Sequence, residues 1–125
     1  MSSRRQARRT ALFLLYQWDL TRQPLASLYE GEIDPFALDL AEGVVARADE
    51  LDSRITAASI GWPADRLGAL ERNILRIALF ELDRDDVPIE VAIDEAVTLA
   101  KRYASDEAGR LVNGILARLA REAAA

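Results

Sequence analysis

The chain has 125 residues, half of them hydrophobic and 30% charged, with a net charge of −5, the balance of an ordinary globular domain long enough for its own core. It contains no Cys and no His, which excludes disulfides, thiolate nucleophiles and Cys-ligated zinc and removes the commonest general base and metal ligand. No apolar run approaches the roughly 18 residues of a membrane span and the start lacks a secretory signal, so the expectation is a cytoplasmic protein with no membrane partner. Pro and Gly are few and Ala, Leu, Arg, Glu and Asp dominate, which favours an all-α fold.

The charge is unevenly placed. Residues 1–22 hold five Arg against one acid, and residues 101–125 hold five basic groups against three acids. The segment 23–99 between them holds six Arg against seventeen acids. A basic rim on an acidic body is compatible with nucleic acid, which would be repelled everywhere except at that rim.

In chain order, Ser3 is placed to cap a first helix running to about Thr21. Arg4, Arg5, Arg8 and Arg9 share a broad flank of it, and Arg5, Arg9, Leu12 and Tyr16 form one stripe that ends on an aromatic ring. Ala11, Leu14, Leu15 and Trp18 face the core. Four Arg at a helix N-terminus oppose the macrodipole, so helix stability does not account for them. Two readings stay open from these residues, a solvated basic tail or an arginine-rich segment that meets phosphates.

Residues 22–34 read as a connection with one short turn near 25–29. Asp34-Pro35 then signals a helix start, and Phe36, Leu40, Val44, Val45 and Ala48 follow at helical spacing, with Gly43 as a close-packing point. Residues 49–58 continue helically after a kink, with Leu51, Ile55 and Ala58 inward, until Gly61-Trp62-Pro63 stops them. Asp65 helps to begin the next turn.

The stretch LGALERNILRIALFEL, residues 67–82, is the element the rest is built around. Leu67, Leu70, Ile74, Ile77 and Ala78 line one face, while Leu75, Leu79, Phe80 and Leu82 make the other sides apolar too, so neighbours must bury it all round. Arg76 and Glu81 inside this run predict structural ion pairs to other helices, because unpaired charge there is costly.

Asp83 to Pro88 reads as a solvated acidic loop; Val87 and Pro88 stand where an EF-hand needs a carboxylate and a glycine, so no metal is expected. Pro88 starts a helix with Ile89, Ala92, Ile93, Ala96, Ala100 and Tyr103 along one side. Ser105 caps a last helix, with Ala108, Leu111, Val112, Ile115 and Leu119 as its packing stripe. The stripe runs straight through Asn113-Gly114, so this pair is helical, and Gly114 predicts a tight contact with a neighbouring helix or a ligand. Arg110, Asn113 and Arg118 project to a polar side. The expectation is one domain of six to seven helices without strands. No phosphate loop, Cys/His pair or serine nucleophile motif is present, Lys101 is the only lysine, and no cofactor or catalytic role is expected.

Three stretches together resemble one family: RRQARRTALFLLYQWDL near the start, LERNILRIALFEL followed by DVPIEVAIDEAVTLAKRY, and RLVNGIL near the end. They are similar to the bacterial transcription antitermination factor family NusB over nearly the whole chain, most specifically from Leu70 to Leu116 and weakly over residues 23–66. The resemblance implies two small helical bundles packed at right angles and RNA binding without catalysis. It also implies the small-subunit ribosomal protein NusE as partner, single-stranded boxA RNA of leader and ribosomal transcripts as ligand, and an RNA polymerase complex that reads through terminators. Carried over residue by residue, the RNA side comprises Arg4, Arg5, Gln6, Arg8, Arg9, Tyr16, Lys101, Arg102, Arg110 and Asn113; Gln6 stands where a further basic residue is common, and Arg9 compensates. The NusE side matches Asp65, Glu71, Glu107 and Leu111, the last replacing a common aromatic. Monomer and homodimer both remain open. Two other classes stand as alternatives: the NusB-like domain of ribosomal RNA cytosine methyltransferases, against which the chain's end at REAAA speaks, and a helical adaptor without RNA.

Overall fold

The computed structural model describes residues 3–59, 63–85 and 87–124. Six α-helices and two 3₁₀ turns form from local signals, and no strand occurs among the described residues. The first helix, α1 (Arg4–Thr21), opens on a capping box: Ser3 Oγ accepts the Gln6 N–H at 3.1 Å and Gln6 Oε1 accepts the Ser3 N–H at 3.0 Å. A single 3₁₀ turn, Leu25–Ser27, punctuates the connection. The second helix, α2 (Pro35–Ala46), starts on Asp34, whose Oδ1 accepts the Phe36 N–H at 2.8 Å. Only Arg47 separates it from α3 (Ala48–Ala58), where the expected kink is a true break. Ala58 ends α3; Gly61 and Trp62 of the expected stop signal lie outside the described residues. A 3₁₀ turn at Ala64–Arg66 carries Asp65 into α4 (Ala69–Arg84). Pro88 precedes α5 (Ile89–Tyr103), and Ser105 Oγ accepts the Ala108 N–H at 3.0 Å at the head of α6 (Asp106–Ala124).

Helix α4 touches each of the other five, with the α1–α2 pair and the α5–α6 hairpin also packed on themselves. Every residue from Asn73 to Glu81 is buried, as an apolar circumference requires. Gly43 is where α2 meets it: a Cβ there would lie 2.1 Å from Phe80 Cζ, so only glycine lets the ring in.

The charges inside this packing have partners on other helices. Arg76, 2% exposed, donates to Asp52 Oδ1 and Oδ2 at 2.7 and 2.6 Å and to Asp19 Oδ2 at 3.2 Å. Asp19 also accepts from Arg72 at 2.7 Å and from the Asn73 amide at 3.0 Å. Burial alone would raise the Asp19 carboxyl, but Arg72, Arg76 and Asn73 together hold it below the usual carboxylate range. Glu81 accepts both arms of Arg8 at 2.8 and 2.9 Å.

Several expectations need correcting. Asp83 is not in a solvated loop; it is helical and accepts from Arg47 and Arg54, both at 2.6 Å. Asp85 closes the helix in the left-handed region, and Asp86 lies outside the described residues. Ile89 is exposed rather than inward, because the buried side of α5 is set by Ala92, Ala96, Leu99 and Ala100. Leu111 is likewise exposed, at the edge of the α6 stripe. Gly114 makes no tight contact among the described residues: none of them lies within 4 Å of where its Cβ would stand. Gly109 is the close-packed glycine of α6, lying against the Lys101 stem.

Candidate nucleic-acid interface

The arginines of α1 fall into different roles once their surroundings are known. Arg8 precedes Leu12 by four residues and Leu15 by seven, so it sits on the apolar stripe and is carried into the protein, where Glu81 holds it. Both guanidinium and carboxylate are almost wholly shielded, and Arg8 is removed from the exposed basic flank on which it was expected. Leu12 is also fully buried, so the stripe expected to join Arg5, Arg9 and Tyr16 is not a continuous surface. The exposed line runs instead through Arg5, Arg9 and Phe13.

Arg4 lies over the Phe36 ring at 4.8 Å, and Arg5 grips Glu95 of α5 with its closest contact at 2.8 Å while staying largely in solvent. That bond from Arg5 holds the Glu95 carboxyl below its ordinary range. Gln6 is engaged in the helix cap through its oxygen, which leaves its amide nitrogen outside the cap. Arg9 is half-buried and in no ion pair among the described residues.

Further along the same side, Phe13 meets Tyr103 edge-on, ring centroids 5.1 Å apart, and the Arg102 guanidinium covers Tyr103 at 5.5 Å. Phe13 is 39% exposed, which leaves much of a large ring open to solvent. Sequence reasoning missed both rings as site residues. A signal existed for Phe13, which follows Arg9 by four residues and stands off the core stripe. Tyr16, one turn further, is half-buried. Lys101, Arg110 and Asn113 are exposed on α5 and α6.

The division of cations is informative. Arg5, Arg8, Arg22, Arg47, Arg54, Arg72, Arg76 and Arg84 are in ion pairs. Among the described residues no ion pair holds Arg4, Arg9, Arg66, Lys101, Arg102, Arg110, Arg118 or Arg121, and all of these but Arg66, in the turn before α4, lie at the head of α1, the end of α5 and along α6. In the acidic middle Asp39, Glu50, Asp52, Glu81, Asp83 and Glu95 are matched by arginines, and positive charge outside an ion pair is concentrated at the rim.

Among the described residues no hydrogen bond or ion pair joins the residues expected to face a protein partner. Asp65 lies beside Asp52 at a shallow depression of the α3–α4 connection, and the Glu71 carboxylate folds back over Gly68 at the head of α4. Glu107 is exposed on the first turn of α6. Leu111 borders a cleft with Arg110, Arg118 and Arg121. Among the described residues no group of acids is arranged to hold a metal, and no helix is long and apolar enough to cross a membrane.

Residues 5–121 match the sequence profile of the NusB family. The chain belongs to the NusB family. It is 41% identical to the transcription antitermination protein NusB of Solibacter usitatus, over 98% of this chain and 91% of that protein. The fold agrees with that of T. maritima NusB, TM-score 0.84 at 34% identity, covering 97% of this chain and 92% of the other. A crystal structure of antitermination factors NusB and NusE in complex with dsRNA matches with TM-score 0.84 and 32% identity, over 95% and 96% of the two chains. The all-helical fold expected for a NusB protein is the fold observed.

Proposed function

We propose that the chain is an RNA-binding antitermination factor of the NusB type, acting without catalysis, in the cytoplasm, as one RNA-binding unit. The observation that carries this is the strip in which Arg9 and Arg102, in no ion pair among the described residues, flank the exposed Phe13–Tyr103 pair. Cations supply phosphate attraction, and an accessible aromatic edge supplies a stacking surface for an unpaired base. Single-stranded boxA-like RNA suits such a strip better than a duplex, whose bases are already stacked. Lys101 and Arg110 extend it, and Tyr16 and Asn113 are placed to touch bases or sugars beside it. A NusE-like ribosomal protein is the protein partner this reading adds, steered by Asp65, Glu71 and Glu107, and the assembly acts on RNA polymerase so that it passes terminators.

The test is a salt-dependent titration of a short single-stranded boxA-like RNA with the full chain. Replacing Arg4 and Arg9 with Ala should lower the slope of log affinity against log salt by about 0.7 for each phosphate no longer neutralised. Phe13→Ala should weaken binding by roughly 1–3 kcal/mol, the worth of one stacked base. Unchanged affinity and slope in both variants would overturn the RNA reading. Charge reversal at Glu71 with Glu107 should weaken NusE capture and spare RNA; an equal loss of both partners would refute the separate acidic surface.

A further inference from the structure

Of the exposed cations at the head of α1 and the end of α5, Arg5 is the one held in an ion pair among the described residues. Its Nε–H group donates to both oxygens of Glu95, at 3.3 and 3.2 Å, and its Nη2 donates to Glu95 Oε1 at 2.8 Å. The Arg5 side chain is 73% exposed and that of Glu95 only 16%. A pair with one partner so open to solvent adds little to stability, so folding does not account for it.

Glu95 is seated from behind. With Arg8, Ile77, Glu81, Ala92 and Leu99 it borders a void of about 10 Å³, no larger than one water, which gives its side chain no room to turn inward. Arg5 is its only hydrogen-bond donor among the described residues, and Arg8 favours its charge through space. Arg5, in contrast, is a long side chain in solvent that would sample many rotamers without this hold. A guanidinium carries five N–H donors, and Glu95 occupies only the edge made by Nε and Nη2. The second edge, one hydrogen each from Nη1 and Nη2, has no acceptor among the described residues. That edge is a fork of the spacing that meets two oxygens of a phosphate.

We propose that Glu95 is a positioning residue for RNA, holding the Arg5 guanidinium so that its Nη1–Nη2 edge is presented to one phosphate of the strand. The inference rests on the RNA reading above and adds to it an acid that never touches the ligand. Arg9 and Phe13 follow Arg5 at four-residue steps on the same side of α1, so the phosphate at Arg5 continues the line of the stacking strip. Two opposed effects of Glu95 decide its sign. Ordering a rotamer-rich side chain on binding costs about 2- to 10-fold in affinity, and Glu95 has already ordered this one in the free chain. A phosphate on the far edge stands roughly 8 Å from the carboxylate, about one Debye length at physiological salt, where repulsion through water weakens binding by about 1.5-fold. Positioning outweighs repulsion.

The experiment titrates the short single-stranded boxA-like RNA into the full chain, Glu95→Gln, Arg5→Ala and the double variant. Glu95→Gln keeps the shape but turns an amide NH2 toward the Arg5 donors, so the two-bond grip is lost. It should weaken binding about threefold and keep the salt slope of the parent, because Arg5 still meets its phosphate. Arg5→Ala should lower that slope by about 0.7. In the Arg5→Ala background Glu95→Gln should no longer weaken binding, and relief of repulsion should leave it level or up to about 1.5-fold tighter. Equal weakening in both backgrounds would make Glu95 a purely structural residue, and tighter binding in both would make it a plain repeller; either overturns the proposal. The Arg5 Nε–H resonance should be resolved in the free parent, persist with RNA bound and broaden in Glu95→Gln. Its loss on RNA binding would show that the strand displaces Glu95, which also overturns it. If Phe13→Ala weakens binding and Glu95→Gln does not, this inference alone falls; if neither Phe13→Ala nor the Arg4/Arg9 variant differs from the parent, the RNA reading itself falls.

Discussion

Arg8→Met is the perturbation that best separates folding from binding in this protein. Arg8 and Glu81 are each more than nine-tenths shielded, bond through two hydrogen bonds of 2.8 and 2.9 Å, and have no other polar partner among the described residues. Removing the guanidinium strands the Glu81 carboxylate inside the helices. Glu95 also acts on Arg8 through space, so the loss of Arg8 removes a favourable charge from Glu95 as well, leaving it Arg5 alone. Breaking one side of a buried pair costs roughly 3–5 kcal/mol. For a domain of this size that is on the order of a 10–20 °C fall in melting temperature. Replacing both partners, Arg8→Met with Glu81→Met, removes the stranded charge and should recover most or all of the loss, because well-packed apolar substitutes are often neutral or better. Calorimetry on the two variants measures this, and an RNA titration on the double variant should match the parent. A single variant that melts with the parent, or a double variant whose salt slope falls, would refute the assignment of Arg8 to the core.

Gly43→Ala should cost about 1–3 kcal/mol, since its Cβ would drive into the Phe80 ring, whereas Gly114→Ala should gain about 0.5–1 kcal/mol in an open helical position; urea unfolding of the pair checks both signs. Acid should unfold the protein through its paired carboxylates. The Asp19 carboxyl is depressed in the folded state, so its stabilisation is present above the ordinary carboxyl pKa and lost as pH falls through the folded value, and Glu50, Asp83 and Glu95 are shifted the same way. With no His, stability should be nearly level between about pH 5 and 8. Unfolding followed against pH should show a shallower acid limb for Asp19→Asn, and an unchanged limb would count against Asp19 as its source.

Much of the fold is legible in the sequence because its boundaries are local chemistry. Ser3, Asp34-Pro35, Pro88 and Ser105 mark four helix starts through interactions within three residues, and the all-round hydrophobicity of residues 73–81 announces a central helix without knowledge of its neighbours. What the sequence hides lies across space. Arg8 is the same residue type as Arg4, Arg5 and Arg9, and although its spacing to Leu12 and Leu15 puts it on the apolar stripe, the Glu81 that makes its burial tolerable lies on α4, 73 positions away. Asp83 resembles loop because acids cluster after it, yet Arg47 at the α2–α3 break and Arg54 of α3 reach it. Gly114 suggests close packing by its size, but none of the described residues comes within 4 Å of its Cβ position. Phe13 and Tyr103 are ordinary apolar residues of two amphipathic patterns until α1 and α5 are seen to bring their rings together.

The long separations of the ionic contacts bear on how the chain is made. Arg8 and Glu81 lie 73 positions apart, and Asp19 and Arg76 57 apart. At the roughly 5–20 residues per second of synthesis, Arg8 waits about 4–15 s for Glu81 to be added. During that interval the nascent α1–α2 hairpin carries a cation and a carboxylate on the very side it must later bury. Desolvating either alone is unfavourable, so the hairpin is kept hydrated and away from premature docking until α4 arrives. On ribosome-held chains ending before α4, a protease should cut α1 readily, and chains long enough to expose Glu81 should resist; equal resistance at both lengths would show that the hairpin closes without its counter-ions.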